Sequence, residues 1–190
     1  GVALQAYLPD SYNVMMRLIG WSRQRVIAGA RPLTIRLVKG ANMEMERVDA
    51  SLRGIPAAPY QTKVETDANF KRMLRKLIDA ASEGHLRVGV ASHNLFDVSL
   101  ALLWATEAGA MKHVQFEMLE GMANHQRRAI SEKDIDMVLY APACLKDGFL
   151  NAVGYLIRRL DENTGPDNFL RHAYQLQPGS EDFERLANGF

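Results

Sequence analysis

Cysteine is almost missing from this sequence. Cys144 is the only one in 190 residues, which excludes an internal disulfide framework and a cysteine-rich metal site. An excess of charge of either sign is missing too. Lysine and arginine number 23 against 22 aspartates and glutamates, a formal net charge of +1, so no broad field draws the chain to nucleic acid or to a membrane surface. No apolar run reaches the roughly 18 residues that a bilayer span needs. No signal peptide opens the chain, nothing repeats at a fixed period, and no stretch is of low complexity. Two catalytic signatures are also lacking. No G-x-G-x-x-G turn follows a strand, which weakens a dinucleotide-binding reading, and no G-x-S-x-G elbow supports serine hydrolase chemistry.

What is present is the composition of an ordinary globular chain, 47% hydrophobic and 24% charged, at a length for one domain and at most two. It starts abruptly. Gly1 to Leu8 reads as a buried strand from the first residue, and the expectation is a piece cut from a longer protein. Strands are then expected at 33–38, 86–91, 113–118 and 137–141, with helices between them. Pro9-Asp10-Ser11 supplies a turn and a helix cap, and Thr66-Asp67 caps the clearest helix, whose apolar face is Phe70, Met73, Leu74, Leu77, Ile78 and Ala81. A helix over 148–163 and a short one near 167–174 follow. Residues 1–175 are read as the folded unit and 176–190 as a polar tail.

Repeated strand–helix units with strands this apolar imply an α/β fold with a parallel sheet. Doubly wound sheets and (β/α)8 barrels both fit, and five strands are too few to close a barrel of eight. The expected fold is a partial (β/α)8 TIM-like barrel. In either fold ligands bind at the C-terminal ends of the strands, and those ends are polar here. They carry Gln5 and Tyr7, Arg36 and Lys39-Gly40, Ser92-His93-Asn94, Glu117 with Glu120, and Tyr140. Arg36 lies among Ile35, Leu37 and Val38, so its charge is either drawn into a site for an electron-rich ligand or paired internally with Glu117 or Glu65. His93 can polarise a ligand oxygen or titrate near neutrality. A single histidine without partners at ligand spacing does not make a metal site, and none is expected. The Arg127-Arg128 pair reads as a solvated helix surface. Arg158-Arg159 differs: Tyr155 and Arg159 stand at i, i+4, as do Arg158 and Glu162. Adjacent guanidiniums about 100° apart on a helix converge on one anion from the side, and a small carboxylate suits them. A surface helix with an Arg–Glu pair remains the plain alternative.

These segments, from Leu4-Gln5-Ala6-Tyr7 through Ile35-Arg36-Leu37-Val38-Lys39-Gly40-Ala41, Ala91-Ser92-His93-Asn94, Phe116-Glu117-Met118-Leu119-Glu120-Gly121-Met122 and Tyr140-Ala141-Pro142 to Tyr155-Leu156-Ile157-Arg158-Arg159-Leu160-Asp161-Glu162-Asn163, stand in the order seen in proline dehydrogenases. The chain resembles the C-terminal half of the proline dehydrogenase barrel of bacterial bifunctional proline-utilisation flavoproteins, up to about Leu170. That resemblance implies a distorted (β/α)8 barrel holding FAD at the strand C-termini. L-proline would be oxidised to pyrroline-5-carboxylate by hydride transfer to flavin N5, with electrons passing on to a membrane quinone. By the same resemblance Gln5, Arg36, Val38, Gly40 and Ala41 would line the flavin ring and its pyrophosphate approach. Lys63, Ser92, His93 and Asn94 would contact the rest of FAD. Arg158 and Arg159 would bind the proline carboxylate, Tyr140, Tyr155 and Leu119 would pack its ring, and Glu162 would hold the arginine pair.

The family's lysine on the first barrel strand and aspartate on the fourth have no match, because the chain would begin at the fifth strand. The loop between Tyr140 and Tyr155 is also a little longer than in the family. The fragment alone is therefore expected to bind FAD weakly or not at all, the remainder of the parent polypeptide being its partner. No nucleic-acid contact by this segment is expected, and the implied location is cytoplasmic or peripheral at the inner membrane. Two competing readings are a non-catalytic half barrel that associates through its open edges, and an unrelated barrel enzyme that binds a small anion at Arg158-Arg159.

Overall fold

A computed structural model describes residues 1–164, 168–174 and 176–190, the side chains of 161–164 excepted. Five strands form one sheet: β1 (Val2–Gln5), β2 (Leu33–Val38), β3 (Leu86–Ala91), β4 (Val114–Leu119) and β5 (Met137–Tyr140). Every neighbouring pair is parallel, and the spatial order is the sequence order. That order decides between the two α/β architectures. A doubly wound sheet reverses direction at a switch point, whereas a (β/α)8 barrel adds each strand beside the last. The fold is thus a partial (β/α)8 TIM-like barrel. β1 and β5 are its edges, so β1 has one neighbour only, and Val2 and Ala3 are exposed rather than buried.

Eight α-helices accompany the strands among the described residues: α1 (Ser11–Ile27), α2 (Met43–Arg53), α3 (Lys63–Ser82), α4 (Leu95–Glu107), α5 (Asn124–Ser131), α6 (Phe149–Thr164), α7 (Phe169–His172) and α8 (Glu181–Asn188). The central helix is α3. All six residues of its expected apolar face are fully buried, and it packs on β2 and β3 with α1 and α4 on either side. Its start differs from expectation. Thr62 is the cap: its hydroxyl accepts from the Glu65 N–H while the Glu65 carboxylate accepts from the Thr62 N–H, a reciprocal capping box. Thr66 and Asp67 lie one turn inside and are buried. At α1 the Pro9-Asp10-Ser11 turn forms, but the Asp10 side chain makes no cap hydrogen bond.

The two faces of the sheet differ in chemistry. Leu4, Ile35, Leu37, Val88, Val90, Phe116 and Met118 alternate onto the helix-covered face and are buried. The register puts Ala3, Arg36, Gly89 and Gln115 in one row of the other face, with Gln5, Val38, Ala91 and Glu117 in the next. That inner face is polar at its C-terminal end, and it positions the site. The C-terminal segment returns to the same end. α8, unexpected because charged residues dominate its first turn, brings Phe183 and Phe190 each to 5.5 Å from the Phe96 ring at the start of α4.

Candidate functional site

One cavity of about 490 Å³ opens at the C-terminal ends of β1–β4, within the range of small-molecule and cofactor sites. Its walls include thirteen of the sequence-predicted residues: Gln5, Arg36, Val38, Gly40, Ala41, Lys63, Ser92, His93, Asn94, Leu119, Tyr155, Arg158 and Arg159. Tyr140 is not on the wall. It stands on the exposed end of β5, with its ring 4.4 Å from the Arg36 guanidinium carbon. The Glu162 side chain lies outside the described residues.

Arg36 pairs through Nε with Glu117 Oε2, so the internal ion pair weighed from sequence forms, and with Glu117 rather than Glu65. Glu117 Oε1 accepts from Gln115 Nε2 at 2.9 Å. Both carboxylate oxygens are engaged although the residue is only 2% exposed. The two terminal nitrogens of Arg36 make no hydrogen bond among the described residues, and they are donors available to the cavity.

Sequence reasoning placed Lys39 at a strand end without a role. The structure makes it the centre of a buried charge network. Its Nζ lies 2.7 Å from Asp67 Oδ1 on α3 and 2.8 Å from Asp97 Oδ2 on α4. Asp97 Oδ2 also accepts from Ser92 Oγ at 2.8 Å, and Ser92 Oγ accepts in turn from the Asn94 N–H. Asn94 then caps α4 by accepting from the Phe96 N–H at 2.9 Å. Lys63 pairs with the second oxygen of Asp67. The turn after β2 and the turn after β3 are thereby tied to each other and to two helices.

His93 takes a hydrogen bond from the Leu119 N–H on Nε2 at 3.0 Å. Nε2 is therefore the acceptor, the ring proton sits on Nδ1, and burial pushes the imidazole below its ordinary value. His93 thus links the ends of β3 and β4, and burial favours its neutral form. On α6, Arg159 donates to the Ala41 carbonyl at 3.3 Å and lies 5.2 Å from the Tyr155 ring, the i, i+4 partner read from spacing. Asn168, Phe169 and Leu170 also line the cavity. They were read only as a last helical segment, for lack of any chemical signal.

Gly40 is a tight point. Its φ is +130°, and a Cβ there would lie 2.1 Å from Cδ1 of the buried Tyr7. Backbone strain of about 1–3 kcal/mol adds to the packing clash. Gly40→Ala is expected to lower stability by about 2–3 kcal/mol, read as a reduced urea midpoint. An unchanged midpoint would mean that Tyr7 moves aside and that the backbone at position 40 relaxes out of its positive φ.

A family model described as "Proline dehydrogenase" matches residues 1–172. The chain is 30% identical over 165 residues to a hydroxyproline dehydrogenase of Xenopus laevis, covering 84% of this chain and 34% of that protein. It is 29% identical over 180 residues to bifunctional protein PutA of Salmonella typhimurium, 90% of this chain and 13% of the relative. It therefore spans about a third or less of these curated relatives. Among solved structures, proline utilization A from Corynebacterium freiburgense is 45% identical with a TM-score of 0.79, over 85% of this chain and 17% of that one. The same protein from Bdellovibrio bacteriovorus, inactivated by N-propargylglycine, is 31% identical with a TM-score of 0.83, over 97% and 18%.

Proposed function

The chain belongs to the proline dehydrogenase family, and from that premise we propose that it forms the C-terminal half of a barrel that oxidises L-proline to pyrroline-5-carboxylate with FAD as the electron acceptor. The observation that carries the reading is the gathering of Tyr155, Arg158 and Arg159 into one cavity with the polar strand ends Gln5, Arg36 and Lys39.

The residues present fit a flavin. Gly40 and Ala41 line the cavity with little or no side chain, so a ligand meets their backbone closely. Arg36, Lys63 and the His93 Nδ1–H are donors toward an electron-rich ring and an anionic phosphate chain, while Val38 and Leu119 are apolar. When bound, FAD supplies the hydride acceptor, ring nitrogen N5. The chain's own task is orientation. Arg158 and Arg159 hold the proline carboxylate, Tyr155 and Leu119 pack against the pyrrolidine ring, Tyr140 acts from behind Arg36 rather than on the substrate, and Glu162 steadies the arginine pair. Gln5, Arg36, Val38, Gly40, Ala41, Lys63, Ser92, His93 and Asn94 form the cofactor's side of the site.

Five strands leave the cavity open on one side, so the remainder of a longer polypeptide completes the site, and the isolated chain takes up FAD weakly or not at all. No helix among the described residues is long and apolar enough to cross a membrane. Electrons passing to a membrane quinone would bring the protein to the cytoplasmic face of a membrane as a peripheral partner.

The test is an anaerobic visible spectrum with added FAD, before and after L-proline, on the 190-residue chain and on the completed barrel. The flavin bands of the completed barrel are expected to bleach with proline. Normal turnover by the isolated chain would sink the half-barrel reading, and bound flavin that proline never reduces would sink the substrate. Because one relative is a hydroxyproline dehydrogenase, trans-4-hydroxyproline belongs beside proline in the same titration.

A further inference from the structure

A barrel interior is normally filled by branched apolar side chains in layers. Here the inner face of β4 carries a carboxylate instead, and three strands are arranged around it. Glu117 pairs with Arg36 from β2 and takes Gln115 on its second oxygen. Its space exists because position 89 on β3 bears no side chain: a Cβ on Gly89 would lie 2.0 Å from Glu117 Oε1. The register places Arg36 beside Gly89, so any side chain there would separate the pair. One face of the guanidinium is covered by the Tyr140 ring, and only its terminal nitrogens remain for the cavity.

We propose that Glu117 is a positioning residue that fixes the Arg36 guanidinium and offsets its charge, so that a bound flavin meets a paired arginine rather than a bare cation. This rests on the flavin reading given above. Reduction places negative charge on the flavin ring, and a cation beside the ring favours the reduced form. Cancelling part of that cation therefore lowers the potential, and removing Glu117 raises it. A merely structural glutamate would change stability and leave the potential where it was.

The experiment has two arms. In the chain without cofactor, ¹⁵N-arginine spectra are expected to show an exchange-protected Arg36 Nε–H, assigned by its loss in Arg36→Lys. That protection should vanish in Glu117→Gln, and also in Gly89→Ala, which keeps the charge but displaces the carboxylate. In the flavin-loaded completed barrel, a dye-coupled reductive titration should give a midpoint potential shifted upward in Glu117→Gln and drawn back toward the parent value in Glu117→Asp. An Nε–H that exchanges freely in the parent chain, or a potential that stays or falls in Glu117→Gln, overturns the proposal. Failure of every form to take up flavin overturns the cofactor reading instead. The arginine spectra then decide by themselves whether Glu117 holds Arg36.

Discussion

Asp97→Ala is expected to cost the chain about 3–5 kcal/mol of folding stability, the usual range when one partner of a buried ion pair is removed. Asp97 is fully buried, and its carboxylate faces Lys39 at 2.8 Å. Truncation leaves the lysine with Asp67 alone and also releases Ser92, hence the turn that caps α4. Lys39→Met combined with Asp97→Leu removes both charges, while the Lys63–Asp67 pair stands by itself. That double variant is expected to recover most of the loss, because well-packed apolar groups replace a buried pair at little cost. Urea midpoints of the parent chain and the two variants decide it. A loss under about 1 kcal/mol in Asp97→Ala would place the Lys39 ammonium in water, at the worth of a surface pair.

The pH dependence follows with its sign. Burial pulls Lys39 down, but Asp97 and Asp67 outweigh it and hold the ammonium above its ordinary 10.5. Its contribution is complete below that value and lost as pH rises through the raised one. Burial pushes Asp67 up, yet Lys39 and Lys63 prevail and hold it below its ordinary 3.8. Its contribution is present above 3.8 and lost as pH falls through the lowered value. Asp97→Ala removes one of the two carboxylates that raise Lys39, so the alkaline loss of stability should begin at a lower pH than in the parent chain.

How legible this was in sequence depended on how local each signal is. The α3 face was readable because its six residues repeat at helical spacing within one segment. Its cap was misplaced because Thr66 and Asp67 look like cap residues beside an apolar run, and only tertiary structure shows Asp67 turned inward to Lys39. The sheet order was open until the strands were seen to lie in sequence order, which no strand's own pattern encodes. At the site, the arginines and the strand-end polar residues stood out because charge is unusual where chain is buried. Their partners did not. Glu117 was weighed for Arg36 across 81 residues only beside Glu65, Asp67 and Asp97 gave no sign of meeting Lys39, and Gly89 resembles any strand glycine until the carboxylate beside it is located. α8 stayed hidden for the opposite reason, since its first turn is acidic and its apolar contacts, Phe183 and Phe190 on Phe96, reach back about half the chain.

Arg158→Met in the completed, FAD-loaded barrel is expected to raise the KM for proline by about 10- to 150-fold. A hydrogen bond to a charged group is worth about 1.5–3 kcal/mol, and each 1.4 kcal/mol is tenfold. Flavin uptake should be unchanged, because among the described residues Arg158 makes no hydrogen bond to the turn after β2, whereas Arg159 does. Arg159→Met should differ in kind. Arg159 donates to the Ala41 carbonyl and stacks near Tyr155, so it joins α6 to the turn assigned to the cofactor. Its loss should raise both the KM for proline and the Kd for FAD. Lysine at either position should restore little, since a compact ammonium does not replace a planar fork of donors on a carboxylate. Steady-state kinetics beside a flavin-binding titration separates the outcomes. If neither variant moves KM, the carboxylate lies elsewhere and α6 serves only as a wall. If both move KM and flavin affinity together, the two arginines act through the turn rather than on the substrate.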